Sequence, residues 1–349
     1  MAVTSTSAYD MRTVAYQGIV HEDVMDKIWN IDPVDLPYMD MAGTGERATN
    51  MYKSWVKESL AAPDITNAKI DGDEAGAADT YTEARVGNHI QLSDKVVSVS
   101  TGARAVDAIG YGDRLVHEMM IRQKELKRDM EAILLSNQAS VEMTESTAGK
   151  AAGCGAMFST NIINGTTAGF ANGIYPAPTP GAARALTEDD IRNAAQAAYA
   201  AGGDPSKLMS TPSMIRKISE YLFTSAARVA TLMSDVGQSG GSNKNYGKQG
   251  VTAIGAVNTF VSDFGVLELV PNRTQQTYQV SATACVNVYL FDPDYWDVSY
   301  LQGIQTEPLA KIGTADKRQM TVYYTNIAAQ EKSSAVIMGI NPALVMTAS

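Results

Sequence analysis

The chain has 349 residues, 45% of them hydrophobic and 19% charged, enough for a sizeable core and for two or three lobes. A formal net charge of -10 argues against a surface given over to gripping phosphates, and the single basic cluster, Lys124 to Arg128, is interrupted by acids. No apolar run is long enough to cross a membrane as a helix, the first residues lack a secretory pattern, and two distant cysteines, Cys154 and Cys285, read as small buried apolar groups.

Residues 1 to 45 read as an arm. HEDVMDKIWNIDPVDLPYM, from His21 to Met39, predicts one or two helical turns around Val24, Met25, Ile28 and Trp29, after which Pro33 and Pro37 impose an extended path. Such a segment cannot build its own core and must lie across something else. Residues 46 to 101 contain two alternating runs, 50–56 and 95–101, that predict strands with one covered face. The stretch between them is rich in Ala, Asp, Gly and Asn and too long for a plain hairpin turn, so it predicts either a disordered surface loop or an exposed two-stranded projection resting on a neighbour.

The spine of the chain is a helix predicted over 113–138, with Asp113 as N-cap and a stripe of Leu115, Met119, Leu126, Met130, Ile133 and Leu134. Its wet face offers Glu118 to Arg122 and Lys127 to Glu131 as neighbours four apart. Small residues at 151–162 suit close packing, and a Gly, Pro and Ala rich link at 165–184 marks a lobe boundary.

The next lobe opens with a capping box, Thr187 with Asp190, on a helix faced by Ile191, Ala194, Ala195 and Ala198. A strand at 207–210 leads to a second helix begun by Thr211 and Pro212. A polar loop at 237–250 and strands at 251–257, 266–270 and 285–291 complete a mixed α/β lobe. Finally, 309–330 predicts two strands about a turn at 313–317, with Met320, Val322 and Tyr324 alternating, returning beside the spine.

A search for chemistry ends without a catalytic, cofactor or metal site. The Ser239 loop has GxSxG spacing, but no helix signal follows it and His21, His89 and His117 all precede it. His117 and Glu118 begin an HExxH pattern that Ile121 ends, and the glycines between Gly241 and Lys248 miss phosphate-loop spacing. A hydrolase or small-molecule binding domain at 186–300 rests on Ser239 alone.

Four stretches, 22–39, 84–103, 124–138 and 309–325, together resemble the major capsid proteins of tailed double-stranded DNA phages, whose fold is the Hong Kong 97 type shared with encapsulin shells. The resemblance implies an α+β fold divided into an N-terminal arm (1–45), an extended loop (46–101), a peripheral domain built on the spine (102–185 and 301–349) and an axial domain (186–300). It implies a structural protein and no enzyme, without cofactor, that self-assembles into hexamers and pentamers of an icosahedral head around double-stranded DNA. Its implied partners are further copies of the chain, portal, scaffolding and decoration proteins, and weakly held DNA, with assembly in the host cytoplasm. The scaffold is expected as a separate protein or none, because the chain begins at its arm. Trp29, Tyr38, Tyr52 and Trp55 are the expected interface aromatics, each weighed against a place in its own subunit's core. An encapsulin-like cargo compartment is the alternative within the structural class.

Overall fold

A computed structural model describes residues 25–72, 74, 76, 82–106, 109–224, 258–311 and 313–347. The first half of the chain supplies α1 (Pro37–Ala42), β1 (Tyr52–Ser59), β2 (Thr82–His89), β3 (Gln91–Ser100), α2 (Thr101–Ala105), α3 (Arg114–Leu134), α4 (Cys154–Met157), β4 (Ile162–Ile163), β5 (Gly165–Thr166) and β6 (Thr179–Pro180). The second supplies α5 (Glu188–Ala200), β7 (Lys207–Ser210), α6 (Pro212–Thr224), β8 (Thr259–Ser262), β9 (Gly265–Pro271), β10 (Tyr278–Val280), β11 (Thr283–Phe291), β12 (Trp296–Pro308), β13 (Ala315–Ala328) and β14 (Ala335–Ile340). The expected strand at 251–257 and the polar loop at 237–250, Ser239 included, lie outside the described residues.

Helix α3 is the expected spine. Asp113 caps it by accepting the Leu115 N–H at 2.8 Å, and at about 1.5 Å per residue its length is roughly 31 Å. It buries Leu115, Leu126, Met130 and Leu134, with Met119 at the edge of the same cluster. It ends four residues before the expected 138, because the Ser136 hydroxyl donates to the Ile133 carbonyl at 2.7 Å and turns the chain. The expected Lys127 to Glu131 pair is absent: Glu131 is fully buried and bonded elsewhere, while Lys127 is exposed.

The small residues at 151–157 pack against the end of this helix. A Cβ at Gly153 would overlap the Ser136 carbonyl, and one at Gly155 would overlap the Asn137 side chain. Small size is therefore what lets this segment reach the spine.

Two hydrophobic cores lie on opposite faces of one sheet, ordered β4-β14-β11-β7-β9-β8 with β10 on β11. The alternation of β11 assigns the faces: Val286, Val288 and Leu290 point into one core, Tyr289 and Phe291 into the other. Strand β14 repeats the pattern, with Ala335 and Ile337 on one side and Val336 and Met338 on the other. Ile191, Ala194, Ala195, Met214 and Ile218 of α5 and α6 cover the first face. The spine, α1 and a three-stranded sheet ordered β12-β13-β3 cover the second. The sheet thus joins strands from 162–163 to 335–340 across the expected peripheral and axial divisions.

Three expectations change. Residues 309–330 are not a hairpin. β13 is one continuous strand from Ala315 whose antiparallel partner is β12, so the turn falls at 309–314, and Met320, Val322 and Tyr324 alternate into the core as expected. A separate strand, β2, was hidden in the projection; it pairs with β1, Trp55 opposite Val86, and is short of the apolar alternation that marks a strand at its outer end. Met25, Ile28 and Trp29 form no helical turn: the Asp32 N–H bonds the Asn30 side chain, the Lys27 N–H bonds the Met25 carbonyl, and Ile28 packs beside Gly110 instead. The helix falls instead at Pro37, which takes the N-terminal position that tolerates a missing N–H. The Thr187–Asp190 capping box is present, with Arg184 bidentate on Asp190 at 2.7 and 2.8 Å.

Gly153→Ala displaces backbone at the end of the spine and lowers stability by about 1–3 kcal/mol, read as a reduced midpoint in urea unfolding.

Candidate assembly surfaces

The packed body is fastened at Glu131. Its carboxylate accepts the Tyr38 N–H at 2.7 Å, the Met39 N–H at 2.9 Å and the Asn272 side-chain amide at 2.7 Å. The first two are free N–H groups of the first turn of α1, where a negative charge is favoured. One acid therefore ties the end of the arm, the spine and the strand end after β9. Burial raises its carboxyl above the usual range, and the three hydrogen bonds pull the other way.

The four aromatic candidates fall in different places. Tyr38 is fully buried in its own subunit, its hydroxyl donating to Asn326 at 2.7 Å, so it is a core side chain. Tyr52 and Trp55 are half-buried on β1 and fasten it to the body: the Tyr52 hydroxyl donates to the Gly173 carbonyl at 3.1 Å and the Trp55 indole to the Ala328 carbonyl at 3.0 Å. Asn88 on β2 completes the root by donating to the Asn326 carbonyl at 3.0 Å. Trp29 alone is open, 74% exposed with the Lys27 ammonium 4.0 Å above its ring.

Beyond that root the chain presents apolar side chains to solvent. Ile31 is 99% exposed on the arm, and Leu60 and Ile65 are 98% and 99% exposed after β1, with Ile70 and Val34 also open. Covering Trp29, Ile31, Leu60, Ile65 and Ile70 would release on the order of 10 kcal/mol before the costs of ordering and association. Isolated exposed apolar residues are ordinary and others occur elsewhere, Val106 and Val261 among them, but the five most exposed large apolar side chains of the described residues all fall in these two segments.

His117 stacks on Tyr111 with ring centroids 4.9 Å apart, and among the described residues no cluster of His, Cys, Asp and Glu could hold a metal. Both cysteines are buried, and burial pushes the Cys154 thiol up to about 12, far from a reactive thiolate. No described helix is long and apolar enough to cross a membrane. Sequence reading missed Glu131, Asn272, Asn88 and Asn326; the one signal was an acid set between the stripe positions Met130 and Leu134.

The chain is similar to the family model described as SU10 major capsid protein over residues 3–341. It is 34% identical over 113 residues to the major capsid protein of Escherichia phage Phieco32, a match spanning 32% of each chain, about a third of that relative's length. The fold matches a capsid protein of Cyanophage A-1(L) with a TM-score of 0.56 and 14% identity, covering 95% of this chain and 99% of that one. It also matches the encapsulin complex of Synechococcus elongatus PCC 7942 with a TM-score of 0.52 and 9% identity, covering 97% and 98%. The α+β architecture is the Hong Kong 97 type of phage capsids.

Glu131→Ala leaves two amide N–H groups and the Asn272 amide buried without their acceptor and costs on the order of 3 kcal/mol in denaturant unfolding. Because the folded state holds the Glu131 proton more readily than the unfolded chain, its contribution is complete below the unfolded carboxyl range and declines as pH rises through the raised value. The stability of the wild type relative to Glu131→Gln is therefore greatest below the unfolded carboxyl range of about pH 4 and declines as pH rises above it, measured by paired urea titrations.

Proposed function

The chain belongs to the SU10 major capsid protein family, and from that membership we propose that its copies close into hexamers and pentamers of an icosahedral head around double-stranded DNA. As a capsid protein it is a structural component of the virion head. The observation that carries the assembly reading is the series of apolar side chains on 25–34 and 60–70 that the described residues leave largely exposed.

In this reading the arm (1–45) and extended loop (46–101) are the parts laid on sister copies, the peripheral domain (102–185 and 301–349) forms the wall and the axial domain (186–300) points to the ring centre. Trp29 is the aromatic placed to be buried by a neighbour, while Tyr52 and Trp55 hold the root of the projection at the correct angle and Tyr38 supports them from the core. Portal, scaffolding and decoration proteins are the further partners, the host cytoplasm is the site of assembly, and the subunit catalyses nothing. The net charge of -10 suits a wall that holds DNA loosely, with weak, salt-sensitive binding. A cargo compartment like an encapsulin shares the fold, but the family match favours the phage head.

Replacing residues 60–81 with a short turn should leave a folded, soluble subunit that forms no closed shells. Electron microscopy of the purified wild type and variant reads the outcome, and intact shells from the variant would refute the role given to the projection. Particles that contain duplex DNA support the head; particles filled with a protein cargo support the compartment.

A further inference from the structure

We infer that a cleft between α3 and the turn after β9 is a phosphate site that meets the backbone of packaged duplex DNA, an inference that rests on the assembly reading above. The cleft, about 380 Å³, is lined by Lys95, Glu125, Arg128, Asp129, Arg273 and Thr274 among others. The acids that interrupt the basic cluster in the sequence are already engaged: Asp129 with Lys95 at 2.6 Å and Glu125 with Arg122 at 2.7 Å. Among the described residues no carboxylate pairs with Lys124, Lys127, Arg128 or Arg273. What the sequence shows as a mixed run is therefore a net positive surface in a chain of charge -10.

The arrangement is also held in place. Arg273 follows Asn272, whose side-chain Nδ2 donates to Glu131 and whose side-chain Oδ1 accepts the N–H of Thr274 at 2.9 Å and of Gln275 at 3.2 Å. Arg128 stands one turn before Glu131 on the spine. The backbones that carry Arg128 and Arg273 are thus held at one cleft, and two like charges lining it favour an anion there. Guanidinium forks match phosphate oxygens, and Lys124 precedes Arg128 by about 6 Å of helix rise, extending the contact along a strand. Such contacts position a duplex without reading its bases, as a container for any genome sequence requires.

Fluorescence anisotropy of the full-length chain with a duplex of about 30 base pairs, between roughly 50 and 200 mM salt, tests the site. The double variant Arg128→Gln, Arg273→Gln should bind roughly ten-fold more weakly and lose about two from the slope of log affinity against log salt. Arg216→Gln, which removes a charge from exposed α6, should change neither. An unchanged slope in the double variant, or a wild-type affinity independent of salt, overturns the proposal. So does a double variant that keeps its DNA affinity but no longer forms shells, since the cleft would then receive an acidic segment of a second copy. Should the double variant unfold, Arg273→Gln alone, at an exposed position, should lose about one from the slope. Wild-type particles imaged in parallel separate the two readings: absence of shells defeats the assembly reading, and normal shells with unaltered variant binding defeat only this one.

Discussion

A single buried carboxylate fixes the geometry of the subunit. Glu131 sits on the spine, yet its partners are 92 and 93 residues earlier on α1 and 141 residues later at Asn272. Burying an acid is costly unless its oxygens are bonded, and here three donors from two remote segments supply the bonds. The cost is offset only when arm, spine and the end of β9 are all in place, so the side chain works as a test of the correct fold. Asn88, Asn326 and Asn287 act in the same way, each joining elements far apart in the chain through buried amides.

The two cores share one sheet. Strand β11 carries apolar side chains on both faces, so neither core can loosen without disturbing the other. Its polar member, Asn287, donates to Asn137 at 2.7 Å, and Tyr289 donates to the Leu135 carbonyl at 2.8 Å, fastening the C-terminal end of the spine to the middle of the sheet. A rigid wall with loosely covered appendages is the division of labour that a self-assembling subunit needs.

Much of this was legible in the sequence because it obeys local rules. The spine stripe, the Asp113 cap, the Thr187 capping box and the β7–α6 unit follow from periodicity and capping chemistry over a few residues. What local rules miss is set by distant partners. Strand β2 carries a Gly at position 87 and charge at its outer end, and only its pairing with β1 makes it a strand. The 309–330 segment was misread because Gly313 and Asp316 suggest a turn, whereas pairing with β3, Asp316 opposite Val99, holds Asp316 in an extended ladder. Glu131 looked like an ordinary solvated acid four residues from a lysine, and only the folded chain shows the helix start that claims it. Of the aromatic candidates, composition could not tell Trp29 from Tyr38; burial does.

The β1–β2 ribbon is clamped at one end and contested at the other. Near its root Trp55, Tyr52 and Asn88 lock it to the body, while at its outer end Glu58 stands directly opposite Glu83, two like charges that weaken the pairing. Stiffness therefore grades along the ribbon, and bending is cheapest where the strands meet their connecting loop. In the assembly proposed above, a protomer built this way would tilt its outstretched end to suit rings of five or six while the wall behind it keeps one shape.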